Sequence, residues 1–182
     1  GSLCGAFNGF LVAHLKIQPM VATLILFTAA RAIGLLVCND MIVYVRNDSY
    51  GFFGSFFGPI PTPIIITAIC IAVLSIALNK TALGTYIQSV GINSRASRIA
   101  GLNSKTIIFL TYVLCGFFAA VAGIMQSSRI TSADSNNIGL YMELDAILAV
   151  ALGGNSLGGG KFNLAGSIIG AYTIQAITTT LY

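Results

Sequence analysis

Residues 80–105 read KTALGTYIQSVGINSRASRIAGLNSK and lie between two strongly apolar runs. This segment contains no acidic residue, and its four basic residues are Lys80, Arg95, Arg98 and Lys105. In a membrane protein, a short loop rich in lysine and arginine faces the cytoplasm. The segment therefore predicts an inner loop, and it fixes the direction in which the apolar runs on either side of it cross the bilayer.

The inner loop carries its own signals for a short helix. Gly91 is expected to break the chain, and the side chain of Asn93 or Ser94 can accept the first free backbone N–H groups of a new helix. Gly101 can end that helix in a left-handed turn. These signals predict a helix over residues 94–100. Because a helix this short is marginal in water, it needs a second surface to pack against.

The composition indicates an integral membrane protein. Of the 182 residues, 56% are hydrophobic and 8% are charged, and the mean hydropathy is +0.89. Soluble domains carry about 25% charged residues. The net charge of +4 would suit nucleic-acid binding in a soluble domain, but here the basic residues lie in segments assigned to the inside. We interpret the charge as a topology signal, with the lipid bilayer and no nucleic acid as partner.

The apolar runs predict an all-α fold, a polytopic transmembrane helical bundle. A helix needs about 20 residues to cross the hydrocarbon layer. The predicted complete spans are residues 19–38, 62–79 and 106–127. The apolar segment 1–15 is too short to cross, so we expect the chain to begin inside a helix, with earlier spans missing.

The distribution of acidic residues agrees with this topology. The segments assigned to the outside hold all five acidic residues, which are Asp40, Asp48, Asp134, Glu143 and Asp145, and only two basic ones, Arg46 and Arg129. The segments assigned to the inside hold Lys16, the basic residues of the central loop, and Lys161. Every alternation between segments therefore follows the positive-inside rule.

The segment after the third span is interrupted by glycine. A seven-residue apolar run, 146–152, precedes GGNSLGGGK at 153–161, and the next apolar run, 162–181, is long enough to span. Seven residues cannot cross a bilayer as a helix. We expect a broken or re-entrant helix near the C-terminus, with its glycine-rich turn lining a translocation path, and at least one further span beyond residue 182.

Small residues spaced three or four apart predict close helix–helix approach. They are Gly5 and Gly9 in the first segment, Gly116, Ala119, Ala120 and Gly123 in the third span, and Gly166 and Gly170 in the last. Arg31 is the one charge inside the first span. It is expected either to reach the headgroups or to face the lumen or another helix.

The polar residues predict no catalytic set and no metal site. Glu143 and Asp145 lie two residues apart, so on a helix they point in nearly opposite directions. They suit either the cap of a helix N-terminus or the outer mouth of a pathway. His14 has no second ligand nearby, and Cys4, Cys38, Cys70 and Cys115 have no paired spacing.

The glycine-rich turn also fails as a phosphate-binding loop. The pattern G-x-x-x-x-G-K-[ST], aligned on Lys161, needs glycine at 155 and serine or threonine at 162. Those positions hold Asn155 and Phe162. We therefore expect no cofactor in this chain, which is not predicted to bind ATP or to be an enzyme.

Three groups of residues resemble the signatures of a known family. They are Gly91-Ile92-Asn93 with Arg95-Ala96 and Ala100-Gly101-Leu102-Asn103; Glu143-Leu144-Asp145-Ala146-Ile147 with Gly153-Gly154, Ser156-Leu157 and Gly159-Gly160; and Lys16-Ile17-Gln18-Pro19 with Ala22-Thr23-Leu24 and Ala30-Arg31. The chain is similar in all three to the membrane permeases of bacterial monosaccharide ABC importers, the ribose/xylose/galactose group.

The resemblance implies a function. Residues 1–182 would be part of one transmembrane permease domain in the bacterial inner membrane, and residues 80–105 its cytoplasmic coupling loop. The permease would pass a monosaccharide of the galactofuranose or ribose type into the cytoplasm. ABC ATPase subunits would bind and hydrolyse ATP with Mg²⁺, a second permease subunit would complete a homodimer or heterodimer, and a periplasmic sugar-binding protein would deliver the sugar. A secondary transporter or facilitator for a small neutral solute is the alternative.

The resemblance also assigns residues. The ATPase-coupling set is Gly91, Asn93, Arg95, Ala96, Arg98, Gly101 and Asn103. Because sugars are neutral, amides and hydroxyls can line their path without charges. The candidates for that path are Asn8, Gln18, Asn155, Ser156 and Gln175.

Overall fold

The computed structural model of the protein describes residues 1–39, 41–45, 48–51, 53–54, 56–57, 60–134 and 137–181. The helices are α1 (Ser2–Ala13), α2 (Pro19–Cys38), α3 (Asp48–Gly51), α4 (Thr62–Lys80), α5 (Ala82–Ile92), α6 (Ser94–Ile99), α7 (Ser104–Ile130), α8 (Met142–Leu152) and α9 (Leu164–Leu181). Asp40 and Arg46, which the sequence assigns to an outer loop, lie outside the described residues. The predicted all-α class is confirmed.

Short strands join the loops between the long helices. β1 (Val43–Tyr44) pairs antiparallel with β4 (Ser132–Ala133), and β2 (Phe56–Phe57) pairs antiparallel with β3 (Ile60–Pro61). These strands could not be predicted from the sequence, because a two-residue strand has no periodic pattern of its own. They connect loops and leave the helical class unchanged.

Three described helices are long and apolar enough to cross a membrane: α2, α4 and α7. They correspond to the three predicted complete spans, which are confirmed as apolar helices of spanning length, and the bounds of α2 coincide with the prediction. Almost none of the apolar residues of these helices is fully buried within the described chain. In lipid that exposure carries no penalty, because the solvent is itself apolar. α9 is 18 residues long and is not among the three, so its crossing stays a prediction.

The chain divides into two compact units. The first comprises Gly1–Leu74 and Lys105–Ile138. Within it, α1 and α7 touch through glycines, since a Cβ built on Gly5 would lie 2.4 Å from the carbonyl oxygen of Tyr112 and one on Gly116 would lie 2.9 Å from the Cα of Gly5. The predicted close approach at Gly5 is thus confirmed. A Cβ built on Gly123 would meet nothing within 4 Å in the described part of the chain, so the predicted packing role of Gly123 stays a prediction.

The loop after α2 is anchored to the end of α7 in the same unit. The hydroxyl of Ser128 donates to the carbonyl oxygen of Tyr50 at 2.7 Å, and the Tyr50 and Ser127 hydroxyls hydrogen-bond to each other. The backbone N–H of Val45 donates to the carbonyl of Thr131 at 3.1 Å. These bonds satisfy loop backbone groups at the end of a span, where lipid offers no partners.

The second unit comprises Ser75–Ser104 and Gly139–Tyr182. In it α8 and α9 form a helical hairpin. A Cβ built on Gly170 would lie 2.0 Å from the carbonyl oxygen of Ala149, and one on Gly166 would lie 2.2 Å from that of Gly153. The predicted packing face of the last segment is therefore confirmed. Between the helices, residues 153–163 are non-helical, which confirms the predicted break near the C-terminus.

Candidate coupling site

Residues 82–92, which the sequence assigns to the inner loop without predicting a helix there, form helix α5. The hydroxyl of Thr81 caps the helix by accepting from the backbone N–H of Leu83 at 3.3 Å. Leu83, Ile87 and Val90 recur at helical spacing, and all three are half-buried or buried. This spacing was the sequence signal for α5, and the emphasis on basic residues and on Gly91 obscured it.

The predicted break at Gly91 is wrong, because Gly91 lies inside α5. Its lack of a side chain serves a close approach, because a Cβ built there would lie 2.9 Å from the backbone nitrogen of Gly160. The glycine therefore makes room for a distant segment of the second unit. The break itself falls at Asn93, whose backbone is extended with φ −155°.

Asn93 caps the N-terminus of α6. Its side-chain oxygen accepts from the backbone N–H groups of Arg95 at 3.0 Å and Ala96 at 3.1 Å. Two of the free donors at the helix start are thereby satisfied. Of the two caps that the sequence analysis left open, the structure selects Asn93.

The C-terminus of α6 is closed by Gly101 in the left-handed region, with φ +86°. The N–H of Leu102 donates to the carbonyl of Ser97 at 3.0 Å, and the N–H of Gly101 donates to that of Arg98 at 3.1 Å. This pair of bonds is a Schellman motif. The predicted ending of the helix at Gly101 is confirmed, with Ala100 as the C-cap.

Two serines, one in α6 and one at the start of α7, donate hydrogen bonds to backbone carbonyls at the start of α6. Ser97 is 6% exposed, and its hydroxyl donates to the carbonyl of Asn93 at 2.9 Å. Ser104, the first residue of α7, is 4% exposed and donates its hydroxyl to the carbonyl of Ser94 at 3.0 Å. Because the Asn93 cap, the Gly101 turn and the bond from Ser104 hold both ends of α6, the backbone behind its outward face is fixed.

The outward face of α6 is basic with an apolar tip. Arg95, Arg98 and Ile99 line one shallow concavity, and both arginines are exposed. Ile99 is 89% exposed. A surface of this kind suits a partner that presents carboxylates around an apolar recess. Sequence reasoning singled out both arginines and missed Ile99, although its place four residues after Arg95 on a two-turn helix was the available signal.

All seven predicted coupling residues thus lie in one continuous stretch of the second unit. Asn93 and Gly101 end the helix, Ala96 stands in its first turn, and Asn103 follows as an exposed residue. Their role in coupling to an ATPase stays a prediction.

Asn155, one of the five predicted sugar-path residues, holds the glycine-rich turn together. Its amide nitrogen donates to the hydroxyl of Ser167 at 2.9 Å and to the carbonyl of Asn163 at 3.3 Å, and its amide oxygen accepts from the backbone N–H of Asn163. The side chain thereby bonds the turn to the start of α9. It has little remaining capacity for a sugar, since most of its donors and acceptors are used.

The other four sugar-path candidates lie on separate elements. Ser156 is exposed in the same turn, and Gln175 is exposed on α9, where its amide donates to the hydroxyl of Thr179 at 3.4 Å. In the first unit, Gln18 is exposed at the start of α2, and Asn8 is half-buried on α1. The side-chain oxygen of Asn8 is buried and has no hydrogen-bond partner among the described residues. Contact of these residues with sugar stays a prediction.

Glu143 and Asp145 occupy the first turn of α8, and both are exposed. Carboxylates at this position stabilise a helix through its dipole, by about 0.3–1 kcal/mol each. Their location at a helix N-terminus agrees with the prediction. A further role at an outer mouth stays a prediction.

The fold and this site define a polytopic helical membrane protein with a broken helix and an exposed, capped basic helix. The chain belongs to the family described as branched-chain amino acid transport system / permease component, whose profile matches residues 1–182. The resemblance to transporter permeases seen in the sequence is thereby confirmed.

Similar proteins are permeases for sugars. The chain is 50% identical over 182 residues to the galactofuranose transporter permease protein of Escherichia coli K12, covering 98% of this chain and 53% of the relative. It is 38% identical to the fructose import permease protein of Bifidobacterium longum (100% and 52%) and 38% identical to the ribose import permease protein of Escherichia coli K12 (100% and 58%). The chain thus spans about half the length of these relatives. No solved structure matches it.

Proposed function

We propose that this chain is part of the transmembrane permease subunit of an ABC importer in a bacterial inner membrane. The subunit forms the pathway by which a monosaccharide of the galactofuranose or ribose type enters the cytoplasm. Identity of 50% to a galactofuranose permease across nearly the whole chain supports the substrate class. The family description names amino acids, whereas the similar proteins are named for sugars, so the sugar assignment depends on the relatives.

The observation that carries the coupling role is the outward face of α6. A helix of six residues presents Arg95, Arg98 and Ile99 on a fixed backbone, with caps at both ends. In our proposal this helix docks on the cytoplasmic ATPase subunit, where carboxylates meet the arginines and an apolar recess takes Ile99. ATP and Mg²⁺ bind to that subunit, and its closure moves α6. The bond from Ser104 to Ser94 then passes the movement into α7.

The assembly requires further partners. A second permease subunit, identical or different, faces this one across the pathway, and a periplasmic sugar-binding protein delivers the substrate. Residues 1–182 act as part of one permease domain in the bilayer, and residues 80–105 form its cytoplasmic coupling loop. Exposed apolar surface on α2, α4 and α7 supports the bilayer as a partner.

A secondary transporter or facilitator is not favoured. Such a protein would need no capped, basic helix with an exposed isoleucine, and the similar proteins are named as import or transporter permeases. Affinity purification of the full-length permease from its native membrane separates the two classes. The proposal expects an ATP-binding subunit in the purified complex, and a permease that transports the sugar without one would contradict it.

Charge reversal on α6 tests the docking directly. The Arg98→Glu variant is expected to lose co-purification of the ATPase subunit and stimulation of ATP hydrolysis by sugar-loaded binding protein, because a carboxylate would face carboxylates. Arg129→Glu is the matched control, since Arg129 is an exposed arginine in the last turn of α7. Unchanged stimulation in Arg98→Glu would remove α6 from the mechanism.

A further inference from the structure

Two segments far apart in the sequence meet backbone to backbone in the second unit. They are the end of α5 at Gly91 and the glycine-rich turn at Gly159 and Gly160. A Cβ built on Gly91 would lie 2.9 Å from the backbone nitrogen of Gly160, and one on Gly159 would lie 3.0 Å from the carbonyl oxygen of Gly91. A side chain at position 91 would therefore force one of the two segments to move.

The turn is shaped to reach α5. Gly159 has φ +92° and Gly160 has φ +109°, both in the region that favours glycine. A Cβ on Gly160 would lie 3.5 Å from the Cγ1 atom of Ile92, so the side chain of Ile92 covers the contact. Backbone conformation thus favours glycine at both positions, and at Gly159 the close approach of Gly91 requires it as well.

Each side of this contact belongs to a firmly bonded element. On one side, Asn93 follows Gly91 by two residues and caps α6 through its side chain. On the other side, Asn155 bonds the turn to Ser167 of α9. The contact therefore lies between the proposed docking helix and the α8–α9 hairpin.

We propose that Gly91, Gly159 and Gly160 are positioning residues whose backbone contact transmits displacement of α6 to the α8–α9 hairpin. This inference rests on the proposed coupling role of α6, and it adds a second route beside the one through Ser104. A direct contact between two backbone segments is stiff, because no side chain lies between them that could change rotamer when one segment moves. A shift of α6 consequently moves the broken helix that the sequence assigns to the pathway wall.

Gly91→Ala in the intact transporter, with its ATPase and binding protein, tests the α5 side. The ATPase subunit is expected to co-purify in the wild-type amount, because Arg95, Arg98 and Ile99 are untouched. Stimulation by sugar-loaded binding protein and sugar uptake, each per assembled complex, are expected to fall at least about fivefold, the lower end of typical coupling factors. Gly123→Ala is the control, since it is a helical glycine whose Cβ meets nothing within 4 Å among the described residues.

Gly159→Ala tests the turn side. It imposes strain from positive φ as well as a Cβ 3.0 Å from the carbonyl oxygen of Gly91. Gly154→Ala isolates the strain, because Gly154 has φ +76° and open space around its Cβ within the described chain. The loss of stimulation at Gly159 is expected to exceed the loss at Gly154 by at least about fivefold.

Ile92→Ala keeps the inference testable if the glycine variants fail to assemble, because it removes side-chain atoms near Gly160 and adds none. It is expected to lower stimulation in the same direction, by a smaller factor, with the ATPase still bound. Wild-type stimulation in Ile92→Ala together with equal losses at Gly159 and Gly154 would overturn the inference. So would normal coupling in Gly91→Ala.

The two proposals fail in distinguishable ways. If Arg98→Glu abolishes ATPase binding while Gly91→Ala couples normally, the inference alone is wrong. If the wild-type permease binds no ATPase subunit, the proposed function is wrong and the inference falls with it.

Discussion

The glycines of this chain differ in how closely other atoms would approach a Cβ added at each position. At Gly170 the Cβ would lie 2.0 Å from the carbonyl oxygen of Ala149, whereas at Gly123 it would meet nothing within 4 Å in the described part of the chain. Membrane helices pack mainly through such close backbone approach, because lipid supplies no hydrophobic force between them. The stability of the α8–α9 hairpin therefore depends on particular glycines.

Gly170→Ala is expected to lower the free energy of unfolding by about 1–3 kcal/mol, the usual cost of overpacking. Gly123→Ala should leave it unchanged or raise it by up to about 1 kcal/mol, since alanine favours helix. Unfolding of the purified permease in mixed detergent micelles measures both. Equal stability of the two variants would contradict the close α8–α9 contact.

The hydrogen bonds of Asn155 predict that this residue stabilises the glycine-rich turn. Asn155→Leu removes the bonds to Ser167 and Asn163 and leaves the backbone N–H of Asn163 without its acceptor, at a cost of about 1–3 kcal/mol. The variant is expected to unfold at lower temperature. Measurement of the KM for sugar uptake then separates two roles: a stabilising bond alone leaves KM unchanged, and a sugar contact raises it. Wild-type thermal stability would contradict the bonding described for this residue.

Some single-residue roles could be predicted from sequence and others could not. The cap at Asn93 and the left-handed turn at Gly101 depend on neighbours within four residues, so local chemistry predicted them correctly. Gly91 depends on Gly160, which lies 69 positions further along the chain. No local pattern encodes that contact, and Gly91 was therefore assigned the wrong role.

At the scale of elements, α6 depends strongly on how its ends are held. It has six residues, too few to be stable alone. The Asn93 cap, the Gly101 turn and the bond from Ser104 to Ser94 compensate. Fraying of either end would separate Arg95 and Arg98 from the positions that the proposed docking needs.

Asn93→Ala is expected to destabilise α6 by about 1 kcal/mol, which lowers the population of the capped helix about fivefold relative to the frayed form. Stimulation of the ATPase by sugar-loaded binding protein should fall accordingly. Asn93→Asp keeps a capping oxygen and should restore most of the stimulation. Equal loss in both variants would show that Asn93 acts by some means other than capping.

Long apolar elements were predicted well, and short amphipathic ones were not. The bounds of α2 follow from one uninterrupted apolar run opened by Pro19. Helix α5 was missed because its segment also carries the signals of a loop, which are its glycines and the basic residues around it. The strand pair β1–β4 was missed because its partners are joined only by tertiary contact.

At the scale of the whole molecule, composition and charge predicted the class. A chain that is so apolar and carries so few charges can remove its apolar surface from water only in lipid. The three apolar helices of spanning length, α2, α4 and α7, agree with that class. The orientation of those spans depends on where basic loops lie, and it stays a prediction. The central claim is that α6 lies on the cytoplasmic side, in contact with an ATPase.

The most direct measurement is labelling of Ile99→Cys with a membrane-impermeant maleimide. The variant is made in a permease whose native cysteines have been replaced, including the four of this segment, which are Cys4, Cys38, Cys70 and Cys115. The account predicts rapid labelling in inside-out vesicles stripped of the ATPase subunit, protection when that subunit is added back, and no labelling in right-side-out vesicles. Labelling in right-side-out vesicles would place α6 in the periplasm and contradict the account.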